Sequence, residues 1–438
     1  MPPWNITRHL AYCVRERNAL SLIALGFRKR GTLNKFVKKF PLRCKALVIL
    51  LGLAVRLMTA CYIDFSFSND VLTFQIWAIM LWEDGFRGFF HGDFFSDYPP
   101  VYLYVLYVVG MIRSLFELPL LDPLLNLITF APAMIFDVLI CVVLAKEAAR
   151  RFGEGLFPVA AASLWLFNPA VILVSSIWGQ VESVYALILL LSLGQLRIGR
   201  LMPSYILFGV AVLTKPQSLF LGPVYLYSAY VEMRCRTRLR YLLMSIAVGM
   251  AAMVLVSLPF SLAATASQLV AGIGLYDYAS VNAFNFWALF GQNWAPVDDA
   301  FLGIGMGIWG VLIGFVIVAA SLFALDMNSK LEKLSFYFIA AMIFVLVFVF
   351  FVRMHERYLY PALVFFLAQY VGSRDKITLA LYGAFSVTFF VNCLLVLMWS
   401  RGQFDVTHQG FALMSVSAIN VVLAALGVMK LWFGNEKS

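Results

Sequence analysis

Charge is what this chain has least of. Asp, Glu, Lys and Arg make up 13% of its 438 residues, where a soluble globular chain carries about 25%. A large water-facing surface is therefore excluded. Its six cysteines (Cys13, Cys44, Cys61, Cys141, Cys235, Cys393) stand singly, with no Cys-x-x-Cys. That excludes a disulfide-stapled secreted module and reads as thiols used for packing. None of the four histidines pairs with another at metal-ligand spacing, so neither a metal nor a cofactor is expected. No internal repeat is visible. The first 40 residues are basic and hold only a short apolar stretch, Ala19 to Phe27, so no cleavable signal peptide is expected. The net charge of +10 sits on too apolar a composition for a nucleic-acid binder.

Hydrophobic residues fill the space that charge leaves. They make up 62% of the chain, in runs of about 20 that recur almost end to end, each long enough to cross a bilayer. The expectation is an all-α polytopic integral membrane protein with about 11–13 transmembrane segments, its external loops carrying short helices.

Lys and Arg mark the cytoplasmic side of such a chain. Residues 1–45 hold eleven of them against one acid, Glu16, so 1–44 reads as a basic cytoplasmic or interfacial arm. Residues 45–430 then form one transmembrane domain, and 431–438 a cytoplasmic tail. The first external loop, 64–98, is acidic, with Asp64, Asp70, Glu83, Asp84, Asp93 and Asp97 against Arg87. Within it Phe74, Trp77, Ala78 and Leu81 recur with helical spacing, so a helix lies there on the membrane surface. The second large external loop, 263–300, contains Asp277, Asp298 and Asp299 and no Lys or Arg. Two stretches resist simple counting. One apolar segment between Pro99 and Lys146 must be short or re-entrant, and the chain between Arg200 and Glu232 is broken near Lys215-Pro216. Non-helical backbone at that depth needs protein or a wet cavity around it.

Polar residues at membrane boundaries gather on one expected face. Asp70, Asp97-Tyr98-Pro99-Pro100, Trp178-Gly179-Gln180-Val181-Glu182-Ser183, Thr214-Lys215-Pro216-Gln217, Asn282-Ala283-Phe284-Asn285 and Arg353-Met354-His355-Glu356-Arg357-Tyr358 all map to external joins. Lys215, Arg353, His355 and Arg357 can bind a phosphate, and Asp70, Asp97 and Glu182 can take a proton from a hydroxyl. Base and phosphate clamp at a membrane face suit transfer of a sugar from a lipid phosphate to an acceptor hydroxyl, with inversion. Bland readings stand beside these roles. Asp70 or Asn69 fits a helix cap, Asp97 a turn, Trp178 to Ser183 a plain hairpin, and Lys215 a snorkelling side chain. Arg56 and Asp137 lie mid-span, where a mutual ion pair between helices is expected.

In this order the motifs resemble the GT-C membrane glycosyltransferases, and within them bacterial mannosyltransferases similar to the second mannosyltransferase of GPI-anchor synthesis. The resemblance runs from about residue 45 to 360. It implies a polyprenyl-phosphate-sugar donor, Asp70 as catalytic base, Asp97 shaping the acceptor side, and His355 on the donor phosphate, helped by Arg353, Arg357 and Lys215. Tyr98, Gln180, Glu182, Asn282, Asn285 and Glu356 are the candidate substrate contacts. Membrane lipids and a hydroxyl acceptor (glycolipid, polysaccharide or protein) are the expected partners. The expected setting is the bacterial inner membrane with an extracytoplasmic site, or the ER membrane in a eukaryote. A secondary transporter or lipid flippase is the alternative, and a noncatalytic scaffold explains the spans but not the motifs.

Overall fold

The computed structural model describes residues 33–62, 68–90, 96–234, 238–331, 336–402 and 410–433. Most of the basic arm, Asp64, Asp93 and the end of the tail lie outside the described residues. In chain order the helices are α1 (Leu33–Tyr62), α2 (Ser68–Phe89), α3 (Pro100–Leu115), α4 (Pro123–Phe152), α5 (Leu156–Leu166), α6 (Pro169–Ile172), α7 (Glu182–Arg197), α8 (Leu201–Val212) and α9 (Gly222–Met233). There follow α10 (Leu239–Ser257), α11 (Leu262–Gly274), α12 (Phe286–Leu289), α13 (Met306–Leu331), α14 (Phe336–Phe350), α15 (Tyr360–Ser373), α16 (Lys376–Ser400) and α17 (Phe411–Phe433). Strand β1 (Ser280–Val281) pairs in parallel with β4 (Met354–His355), and β2 (Ala300–Phe301) with β3 (Ile304–Gly305) in an antiparallel pair.

The protein is an all-α polytopic membrane protein. Among the described residues six helices are long and apolar enough to cross a bilayer, and α5 with α6 and its continuation to Ile177 pass the same test as a pair bent by 47°, the geometry of a broken span or a re-entrant loop. Four further apolar helices have only 10–17 residues, among them α3 and α14. Helix α14 is sheathed in protein, with Phe338 to Val345 all buried, so its backbone has no need of full bilayer length. The short member of the 99–146 stretch is α3, and the break near Lys215-Pro216 is a 3-10 turn, Pro216–Leu221.

Local chemistry starts and stops these elements. Pro100, Pro123 and Pro169 open their helices at the first helical position, where no N–H is needed. Asp122 and Asn168 cap α4 and α6 by accepting from Leu124 N (2.8 Å) and Ala170 N (3.0 Å). After Ile172 the helix widens into a π turn, Leu173–Ile177, and the chain emerges at Trp178.

The helix expected in the first loop is α2. Phe74, Trp77, Ala78 and Leu81 are all buried, packed with Tyr98, Tyr102, Leu103 and Leu106. Each large apolar side chain so buried contributes about 1.5–3 kcal/mol. Gly110 lets α3 lie against this face, since a Cβ there would stand 2.0 Å from the Ala78 carbonyl oxygen.

The mid-span charges meet. Arg56 Nε donates to Asp137 Oδ2 at 3.1 Å and Arg56 Nη1 to the Leu166 carbonyl at 2.7 Å, while Tyr360 Oη donates to Asp137 Oδ1 at 2.7 Å. Arg56 and Asp137 are both fully buried. The contact joins α1, α4, α5 and α15 at one point.

Candidate active site

Five chain segments converge beside the first turn of α2. Asp70 does not cap that helix. Its Oδ2 accepts from Trp178 Nε1 (3.0 Å), Gln180 Nε2 (2.8 Å) and Arg357 Nη1 (2.8 Å). The Asp70 side chain nevertheless stays 29% exposed, so a substrate can reach it. Trp178 and Gln180 reach it from the sharp turn after the π segment, where Gly179 has φ +71° and a Cβ would stand 2.2 Å from the Phe130 ring. Only glycine serves there.

Arg357 lies at the centre. Its guanidinium stacks over the Trp178 ring at 4.8 Å, and its Nε stands 3.5 Å from Glu356 and 3.8 Å from Glu182. Burial opposes its charge, and Glu356, Asp70 and Glu182 together more than restore it, holding the group firmly protonated. The same burial pushes the Glu356 carboxyl up, against the downward pull of Arg357.

Lys215 enters from the 3-10 turn. It is ion-paired with Glu182 and has the rings of Tyr185, Tyr358 and Tyr98 within 5.6–5.7 Å. Burial pulls its pKa down and Glu182 pulls it back up. Gln217, two residues on, donates to Tyr358 Oη at 2.6 Å. Asp97 lies in the extended stretch before α3. Burial pushes its carboxyl up to about 6 against the lowering influence of Lys215 and Arg357.

His355 sits on β4, buried, with the Tyr276 ring edge-on at 4.4 Å and Tyr358 at 5.1 Å. Its Nε2 makes no hydrogen bond. Burial, Arg357 and Lys215 all depress its pKa, so the imidazole is neutral.

Several expected contacts are placed differently. Gln180, anticipated as a substrate contact, is bound to Asp70. Asn282 Oδ1 accepts from Trp294 Nε1 (2.8 Å) and Asn293 Nδ2 (3.3 Å), inside its own loop. Asn285 caps α12 through Ala288 N (3.1 Å) and donates to the Phe348 carbonyl. Arg353, expected beside His355 on a phosphate, points its Nη2 at Asp277 Oδ1, 2.5 Å away. Tyr98 packs into the α2–α3 core and shows its ring face to Lys215.

Asp70, Asp97, Glu182 and Glu356 surround the cations Lys215 and Arg357, and each cation is already ion-paired. Tyr185 belongs to the cluster without having been singled out for it, and Trp178, quoted as the start of its motif, was given no role of its own. Tyr185 lies three residues from the expected Glu182, and that proximity was its only signal. Among the described residues no group of three His, Cys, Asp or Glu stands together as a metal site.

No family model matches the chain, and no curated protein does. Among solved structures it is similar to the crystal structure of ArnT from Cupriavidus metallidurans in the apo state, at 16% identity and a TM-score of 0.45, over 88% of this chain and 76% of that one.

Proposed function

We propose that this chain is an inverting GT-C-type glycosyltransferase that moves a hexose, mannose first among the candidates, from a polyprenyl-phosphate-linked donor to an acceptor hydroxyl on the extracytoplasmic face. The observation that carries this reading is the Asp70–Arg357 contact at 2.8 Å. It puts a reachable carboxylate and a permanent cation in one cluster, drawn from segments 287 residues apart.

Three donors on Oδ2 orient the Asp70 carboxylate and leave Oδ1 for a substrate. In the reaction Asp70 takes the acceptor hydroxyl proton, the acceptor oxygen bonds to the anomeric carbon, and the bond from that carbon to the phosphate oxygen breaks. Its electron pair leaves with the polyprenyl phosphate, and the anomeric centre inverts. Arg357 receives the charge that develops on the departing phosphate. His355, neutral and with Nε2 unengaged, can donate a further hydrogen bond there. Because Asp70 already holds Arg357, the donor phosphate competes for the guanidinium. As it draws the guanidinium away, Asp70 keeps the hydrogen bonds from Trp178 and Gln180 that orient it toward the acceptor.

Membranes of the host incubated with the purified protein and radiolabelled polyprenyl-phosphate-mannose or polyprenyl-phosphate-glucose are expected to yield a labelled product. Asp70→Asn is expected to fold, bind donor and lose at least about 100-fold in transfer rate. Wild-type turnover by that variant removes Asp70 from the role.

A further inference from the structure

We propose that Asn392 and Asn420, on the last two helices, are positioning residues that hold the His355–Arg357 edge of the site in register. The proposal rests on the glycosyl-transfer reading for the reaction it serves, and on geometry for the rest.

Strands β1 and β4 share only two residue pairs, Ser280 with Met354 and Val281 with His355, and Asn282 bridges to His355. So short a ladder fixes its register weakly. Beyond it the chain turns through Asn282 at φ 59° and leaves every strand. Its backbone polar groups, buried, still need partners.

Side-chain amides supply them. Asn392 Nδ2 donates to the Asn282 carbonyl (2.8 Å) and Asn392 Oδ1 accepts from Phe284 N (3.0 Å). Asn420 Nδ2 donates to the Phe284 carbonyl (2.7 Å). Asn293 Oδ1 accepts from Asn282 N (2.9 Å). Asn392 and Asn420 are both 0% exposed. Packing alone is better met by Leu at such depth, since a buried amide is costly unless bonded. Here Asn392 and Asn420 reach the same three-residue segment from two different helices.

That segment adjoins β4 directly, and β4 carries His355, with Arg357 two residues further on. A slip of 280–284 therefore moves the imidazole and the guanidinium that holds Asp70. Misplacing such groups by about 1 Å costs roughly 100-fold in rate.

The test uses the full chain in lipid nanodiscs with labelled histidine, the His355 ring resonances being identified by their loss in H355Q. N392L and N420A are expected to move those resonances. T388A serves as control, because its buried hydroxyl bonds only Phe385 O within α16, and it is expected to leave them in place. Transfer from radiolabelled polyprenyl-phosphate-mannose is expected to fall roughly 100-fold in N392L. Unmoved His355 resonances in N392L and N420A overturn the proposal, as does an equal movement in T388A. Should N392L fail to fold, N420A, which loses a single bond to the loop, decides it. If the wild type transfers no sugar while the resonances move as expected, the transfer reading fails and the positioning role stands.

Discussion

Asp97 holds its proton up to about pH 6 because burial outweighs the pull of Lys215 and Arg357. Its folded-state pKa lies above the ordinary 3.8, so the folded chain binds the proton more tightly than the unfolded one. The stability this adds is present at low pH and is lost as pH rises from about 4 to about 6. The charged form adds a negative group to a cluster that must accept a phosphate. Donor KM is therefore expected to rise as pH climbs through about 6, and D97N is expected to flatten that rise; a KM profile in D97N that matches the wild type takes Asp97 out of the account. Lys215 and Glu182 make a second residue-scale case. Lys215→Met strands a buried carboxylate and is expected to cost about 3–5 kcal/mol. The double variant K215M/E182Q is expected to recover most of the thermal stability in detergent without recovering transfer. Had the pair been mainly structural, transfer would return with stability.

At the scale of elements, breaks do as much as helices. The π turn after α6 and the 3-10 turn after Lys215 interrupt the α-helical run where side chains must converge, and both lie beside the cluster. Opposed to these loose places is the Arg56–Asp137 contact, which ties α1 to α4, α5 and α15. Arg56→Met alone is expected to destabilise by about 3–5 kcal/mol, and R56M/D137L to regain most of it, because the second change removes the stranded charge. Thermal unfolding of the three proteins checks this, and additive losses in the double variant would refute it. The helical period of Phe74, Trp77, Ala78 and Leu81 marks α2 because one of its faces is polar. No such contrast marks the bend at Asn168-Pro169, where both sides of the helix are apolar and periodicity carries no signal.

Across the whole molecule, Asp299 and Glu154 are exposed at loops expected to lie on opposite sides of the membrane. In a chain whose six native cysteines are replaced, Asp299→Cys is expected to react with an impermeant maleimide added outside, and Glu154→Cys only after permeabilisation. The reverse pattern would put the site on the cytoplasmic face. Membrane character and helical class were legible in sequence, because composition states them without reference to any distant residue, and motif order named Asp70, Asp97, Gln180, Glu182, Lys215, Glu356 and Arg357 among a longer list that also held Arg353, Asn282 and Asn285. Their partners were not legible. That Gln180 holds Asp70, that Arg353 turns to Asp277, that Asn282 bonds Trp294 within the loop and that Asn285 caps α12 and reaches the Phe348 carbonyl depend on which side chains lie within 3.5 Å. The sequence by itself determined that charge would be rare and confined, since each ionised group in an apolar setting needs a partner. Only the tertiary structure decided which partner each one has, because hydrogen bonds and ion pairs are set by distance and direction between segments that the chain brings together from far apart.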